Sequence, residues 1–192
     1  MISELDHRVK NVLARVAVVA MFTRESSSSM DEFAQALNRR IQSMADAHAL
    51  LSQSRWRGVG LTDLVHRQLA PYSTNANTTI GGPDVTLTAT ATQAVAMVLH
   101  ELVTNAVKYG ALSTSGGRVS VSWDRRQNGD GRTLVVIEWR ELGGPPIMVP
   151  IQSGYGTSLI RDLIPHELGG AADLEFASDG VCCRVEIPIE WK

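Results

Sequence analysis

The sequence predicts an α+β protein, a helical hairpin followed by a two-layer α/β sandwich, and three observations predict it. Two stretches near the N-terminus carry apolar residues at helical spacing, separated by the serine run Ser26–Ser29. Beyond residue 58 short strand-like runs, bounded by glycine, proline and asparagine, replace that pattern. One long apolar helical stretch interrupts them, the irregular alternation expected of one helical layer on one sheet.

The elements follow in order. Leu5, Val9, Val12, Val16 and Val19 alternate by four and three, a coiled-coil-like stripe that defines the first helix. After the serines a second stripe runs through Met30, Phe33, Leu37, Ile41, Met44, His48 and Leu51. Two such helices bury only a narrow seam, so the hairpin, residues 1–58, is expected to complete a four-helix bundle with a second copy as a homodimer. Residues 55–60, with two glycines and flanking arginines, read as a boundary, and residues 59–192 form the second domain. There Thr62 is expected to cap a short helix reaching Leu69. Strands are expected at 78–80 and 85–87, then a helix over 92–109 closed by Gly110, then strands at 119–123 and 134–139. A helix over 157–164 and strands at 173–176 and 181–187, joined at Ser178-Asp179-Gly180, complete the chain. No internal repeat is present.

Composition narrows the function classes. At 192 residues and 44% hydrophobic side chains the chain supports a true core rather than disorder. Its 18 basic and 20 acidic residues give a net charge of -2, which is not the footprint of a general nucleic-acid binder. Cys182 and Cys183 are adjacent in a strand, where neighbouring side chains point to opposite faces, so neither a disulfide nor a zinc site follows. The longest apolar stretch, 12–22, is broken by Arg15 and too short to span a bilayer, and no signal-peptide pattern precedes it. A reducing, cytoplasmic setting is expected.

Three constellations carry chemistry. Glu101 and Asn105 lie four residues apart on the long helix, with Lys108 nearly one turn beyond, so an otherwise apolar helix has one polar face. An amide oxygen can hold magnesium whose remaining shell is phosphate and water, a lysine offsets phosphate charge, and a carboxylate can orient water or accept a proton. A solvated helix face explains Glu-x-x-x-Asn alone equally well. Glu141-Leu-Gly143-Gly144-Pro145 follows a strand ending in Trp139; its glycines admit a flat ligand and its carboxylate can accept from an exocyclic amine, though a plain turn accounts for it taken singly. Gly154-Tyr155-Gly156-Thr157-Ser158 leads straight into a helix whose first N–H groups suit a phosphate. All three, in this order and each at an element boundary, point to a nucleotide pocket.

These residues carry a resemblance. The run His100-Glu101-Leu102-Val103-Thr104-Asn105-Ala106-Val107-Lys108-Tyr109-Gly110, followed by Trp139-Arg140-Glu141 and Gly154-Tyr155-Gly156, resembles the ATP-binding domain of the HWE histidine kinases, which share the Bergerat ATP-binding fold with gyrase, Hsp90 and MutL. The N-terminal Glu4-Leu5-Asp6-His7-Arg8-Val9-Lys10-Asn11 resembles the phosphoacceptor box of that family. The resemblance implies a Bergerat-type sandwich, ATP and Mg2+ as cofactors, His7 as phosphoacceptor, and a response-regulator receiver domain as partner. It further implies Asn105 as magnesium ligand, Glu101 as acid of the metal–water shell, Lys108 and Tyr109 as nucleotide contacts, and Glu141 as the adenine-amine acceptor. Gly143, Gly144, Gly154, Tyr155, Gly156 and Thr157 would shape pocket and lid. The lid between Pro145 and Gly154 is short, as in those relatives. His100 is read as holding a neighbouring loop, and Trp139 as a packing residue.

An imidazole with an ordinary pKa near ~6.5 is a competent nucleophile at physiological pH, and a proton acceptor on its second nitrogen raises its reactivity. Glu4 shares the helix face of His7 and Asp6 adjoins it; the sequence leaves the choice of base open. Asn11, four residues on, can position water. His48, His66 and His166 have no such surroundings and are read as structural. Two rivals compete: a dimeric phosphorelay protein that uses His7 without ATP, and a Bergerat ATPase in which His7 is an ordinary surface residue. The intact pocket residues argue against the first, the acceptor-like box against the second.

Overall fold

The computed structural model describes residues 2–25, 27–74, 76–129, 131–147, 155–178 and 180–189; the side chains of residues 2–9, 11, 15, 22 and 155 lie outside that description. Helix α1, Ile2–Glu25, and helix α2, Met30–Gln53, form the hairpin. The serine run supplies the start of α2: the Ser29 hydroxyl accepts the Glu32 N–H at 3.1 Å, and the Glu32 carboxylate accepts the Ser28 N–H at 2.9 Å. This reciprocal arrangement satisfies donors that a helix start otherwise leaves open.

The buried face of α2 follows the expected stripe only in part, with Leu51 buried and Leu37 and Met44 packed against Val19, Met97 and Leu159. Met30 is 77% exposed, Ile41 38% exposed and His48 exposed, whereas Arg40, Ser43, Ala47 and Leu51 are buried. The helix turns so that Arg40 meets a carboxylate on another helix, a long-range pairing that a local apolar stripe does not report. Packing also crosses residue 58: Ala47 and Leu51 join the same core as the sheet.

A turn with left-handed Arg55 and Trp56 and with Gly58 at φ 113° leads into β1, Val59–Gly60, and helix α3, Leu61–Leu69. Thr62 does not cap α3. The helix begins one residue earlier behind Gly60, without a side-chain cap, and the Leu61 N–H donates to the Val85 carbonyl at 2.9 Å instead. Strand β1 pairs, among the described residues, with β3, Thr86–Leu87.

Among the described residues the main sheet has five strands in the order β2–β4–β5–β7–β6, comprising Thr78–Gly81, Arg118–Gln127, Thr133–Leu142, Gly180–Pro188 and Ala171–Ala177. Among the described residues only β2 with β4 is parallel. Val121, Trp139, Cys183 and Leu174 stand opposite one another in a row across four strands, all buried. Helices α4, Ala89–Lys108, and α5, Tyr155–Leu168, cover that face. The alternate residues Glu138 and Arg184 face the other way and pair at 3.2 Å. One apolar and one charged face is the two-layer sandwich the alternation implies.

Gly110 does not end α4 by a left-handed turn, since its φ is -111°. Tyr109 is the C-cap residue. A Cβ at Gly110 would stand 2.0 Å from Glu141 Oε2, so glycine is required there by a neighbour rather than by the helix.

Candidate functional site

Glu101, Asn105 and Lys108 line one cleft with Tyr109 and with Gly156 of α5. Asn105 is half-buried, Lys108 exposed, and the Tyr109 side chain 70% exposed at the mouth. A Cβ on Gly156 would lie 2.9 Å from Glu101 Oε2 and 3.7 Å and 3.9 Å from the two atoms of the Asn105 amide. Glycine therefore lets the first turn of α5 close on the polar face of α4, where N–H groups free of helical partners suit an anion.

The opposite wall comes from the hairpin. Arg39 and Arg40 of α2 line the cleft, and Arg40 makes a bidentate pair with Glu101, Nε to Oε1 at 2.7 Å and Nη2 to Oε2 at 2.9 Å. Its Nη1 donates to Thr23 Oγ1 of α1 at 2.8 Å. Neither arginine was among the expected site residues. The signal was present: Arg40 interrupts the apolar spacing Leu37–Met44, and a charge within an apolar stripe needs a partner.

Glu141 belongs to a second group behind the end of α4. Trp139 and Glu141 are two apart on β5 and so share a face, and the indole N–H donates to Glu141 Oε1 at 3.0 Å. Oε2 accepts the Ala111 N–H at 2.8 Å. Burial pushes the Glu141 carboxyl above its ordinary value, opposed by these two hydrogen bonds. Trp139 itself is 1% exposed, a packing residue with its one polar atom satisfied. Gly143 and Gly144 close on the same turn. At Gly143, φ 72°, a Cβ would lie 3.0 Å from the Gly116 carbonyl oxygen; at Gly144 it would lie 2.9 Å from the Ala111 nitrogen.

The expected residues thus fall into two groups joined through residues 109–111. Glu101, Asn105, Lys108, Tyr109 and Gly156 meet in the cleft, while Glu141, Gly143 and Gly144 brace the turn that follows it. Thr157 is buried in the first turn of α5. His7, Glu4 and Asp6 lie on α1, but their side chains, like that of Tyr155 and the whole of Gly154, lie outside the described residues. Half-buried His100 lines the cleft, and burial holds its imidazole below the ordinary value. His48 is exposed with its ring edge-on to Trp56, centroids 5.0 Å apart, and His66 and His166 are exposed. Cys182 and Cys183 are free thiols, and burial pushes that of Cys183 up to about 12, so it stays protonated. Among the described residues no helix is long and apolar enough to cross a membrane.

Comparison with known proteins adds three findings. The family model described as HWE histidine kinase matches residues 4–84, which include His7. The "Blue-light-activated histidine kinase" of Rhizobium johnstonii is 33% identical over 188 residues, 98% of this chain and 53% of that protein. The chain spans about half the length of that curated relative. Among solved structures, the Erythrobacter litoralis EL346 blue-light activated histidine kinase superposes with a TM-score of 0.68 at 15% identity, over 96% of this chain and 60% of that one. A second, histidine kinase ThkA in complex with response regulator protein TrrA, gives a TM-score of 0.50 at 17% identity over 98% of this chain and 60% of that one. At these identities the likeness is one of fold.

Proposed function

The chain belongs to the HWE histidine kinase family, and from that premise we propose that it is an ATP-dependent autokinase core that phosphorylates His7 and passes the phosphoryl group to a receiver-domain aspartate. One observation carries this reading: Asn105, Lys108, Tyr109 and Gly156 converge on a single cleft whose facing wall is the hairpin that bears His7. In the reaction a ring nitrogen of His7 attacks the γ-phosphorus of ATP, the bond to the β-phosphate oxygen breaks, and ADP leaves with the bond electrons. The displaced ring proton passes to a carboxylate, and Glu4 and Asp6 are both placed on the helix of His7 for that role.

The chain's other residues bind and orient. Lys108 and the first turn of α5 offset phosphate charge, Tyr109 flanks the mouth, Gly143 and Gly144 let the turn after β5 close on Gly116 and Ala111, and Gly154 is assigned to the lid. Tyr155 and Thr157, in the first turn of α5, are assigned to the nucleotide. Glu141 is assigned to the adenine amine, each of its oxygens keeping a further lone pair beyond its present bond. The cleft offers an amide oxygen and a carboxylate, a donor set that fits magnesium completed by phosphate and water, with Asn105 as ligand and Glu101 in the water shell. Bound there, the ion would supply charge neutralisation to the moving phosphoryl group.

The partner assignment draws on the response regulator seen with ThkA. Dimerisation through the hairpin is supported by Leu13, Val18, Met21 and Met30, which are left exposed on the hairpin of a single chain. A cytoplasmic setting goes with this partner. Incubation with ATP labelled on its γ-phosphate should give acid-labile, base-stable label on the chain, lost in His7→Ala and in Asn105→Ala. Label that persists in His7→Ala would refute the acceptor, and absence of label in the intact chain would favour the ATP-independent relay.

A further inference from the structure

The seam between hairpin and sheet domain is largely apolar, with Val19, Leu37 and Met44 against Met97, Leu159 and Leu163. Into it α2 inserts one cation. Arg40, 7% exposed, forks onto Glu101, 5% exposed, and its remaining terminal nitrogen donates to Thr23, whose hydroxyl donates in turn to the Val19 carbonyl. One guanidinium thus ties α1, α2 and α4. Such a buried pair adds little net stability over apolar side chains of equal volume, because desolvation consumes most of the Coulombic gain. Its best-attested use is to fix one arrangement against another.

We propose that Arg40 is a positioning residue through which the hairpin controls Glu101: with α2 docked it ties up both carboxylate oxygens where they stand in the cleft and withholds them from the magnesium–water shell, and displacement of α2 releases them. This rests on the assignment of Glu101 to that shell. Both carboxylate oxygens are committed to the guanidinium, so orienting water or accepting a proton requires at least one of these bonds to break. Arg40 sits on the element that must move relative to the ATP-binding domain for His7 to reach a phosphate, so hairpin motion acts on Glu101 without an intermediary. Ser43, one turn along the same face, buries its hydroxyl with no hydrogen-bond partner among the described residues. A seam left short of full satisfaction suits one of two alternative dockings.

Coupling of this kind is reciprocal. Loading of magnesium nucleotide must loosen α2, and loss of Arg40 must free Glu101. The test uses the full 192-residue chain with Arg40→Gln and, as a milder variant that keeps the ion pair, Thr23→Val. Amide exchange over residues 36–44 is followed with and without magnesium and a non-hydrolysable ATP analogue, alongside kcat and KM for autophosphorylation and the Kd of the analogue. In the wild type the analogue should speed exchange at 36–44 by about fivefold or more. In Arg40→Gln exchange should be fast and indifferent to nucleotide, with kcat raised severalfold and the analogue bound more tightly than by the wild type. Thr23→Val should lie between, and decides the matter if Arg40→Gln does not fold. A merely structural arginine would lower thermal stability without a nucleotide-dependent change at 36–44. The proposal is overturned if nucleotide leaves that exchange unaltered in the wild type, or if the wild type labels and both variants label no faster than it. Expected exchange without label in any chain would sink the autokinase reading alone and leave the control of α2 standing.

Discussion

Trp139 and Glu141 exemplify how two residues act as one unit. The indole satisfies one oxygen of a buried carboxylate and the Ala111 amide the other, so the pair fixes the turn on which the cleft ends. Trp139→Phe removes a donor and some volume, and should cost about 2 kcal/mol. Glu141→Gln turns an acceptor into an amide donor facing an N–H, but combined with Trp139→Phe that amide faces only a ring. The double variant should therefore be more stable than the sum of the singles allows, by about 1 kcal/mol in urea unfolding. Strict additivity would show that the two do not interact. His100 makes a pH prediction. Burial depresses its folded value below 6.5, so between the two values the unfolded chain holds a proton that the folded one does not. The contribution is present above 6.5 and lost as pH falls toward the depressed value. The melting temperature of His100→Gln should then fall less between about pH 7 and pH 5 than that of the wild type; equal slopes would remove His100 from the account.

Elements were legible in the sequence where local pattern and tertiary demand agree. Helix α4 and strands β4 to β7 lie where periodicity places them, because one face of each meets one continuous core. Helix α2 was placed along the chain but only partly around its axis. Its apolar residues mark two faces, and the choice between them is made by Glu101, 61 residues away from Arg40. The capping of α3 failed for a similar reason: the Val85 carbonyl supplies what Thr62 was expected to provide, and strand–helix adjacency is invisible to a capping rule. In the candidate site, the spacing Glu101–Asn105–Lys108 announced a shared face, and Gly156 proves to be what lets α5 close on it. Of the hairpin's wall only Arg40 was legible, as a charge within an apolar stripe that needs a partner; which partner it finds is set far along the chain. The Trp-x-Glu spacing was legible only as a motif; its physical sense, two side chains on one face of β5, needed the turn at Ala111 to complete it.

At the scale of the molecule the hairpin and the sheet domain are less separable than a boundary at residue 58 implies. The upper part of α2 meets the sheet domain through the seam around Arg40, but its last turns carry Ala47 and Leu51, both buried in the main core beside Leu61, Leu64 and Val98. Trp56 packs on that core from the turn that follows. A cut at residue 58 therefore removes apolar cover from α3 and α4, and restoring a leucine's worth of burial is worth about 1.5–3 kcal/mol. For a domain of this size each kcal/mol moves the melting temperature by about 2–4 °C or somewhat more. A fragment beginning at Val59 should accordingly melt about 5–10 °C below one beginning at Ala45. It should also bind a hydrophobic dye that the longer fragment excludes, since the uncovered face is apolar. Both fragments retain the residues of α4 and α5 that line the cleft, and the longer, which lacks Arg40, should bind a magnesium–nucleotide analogue at least as tightly as the full chain does. Equal melting of the two fragments would place the boundary at residue 58 after all, and would make the end of α2 a passive strut rather than part of the domain that holds the cleft.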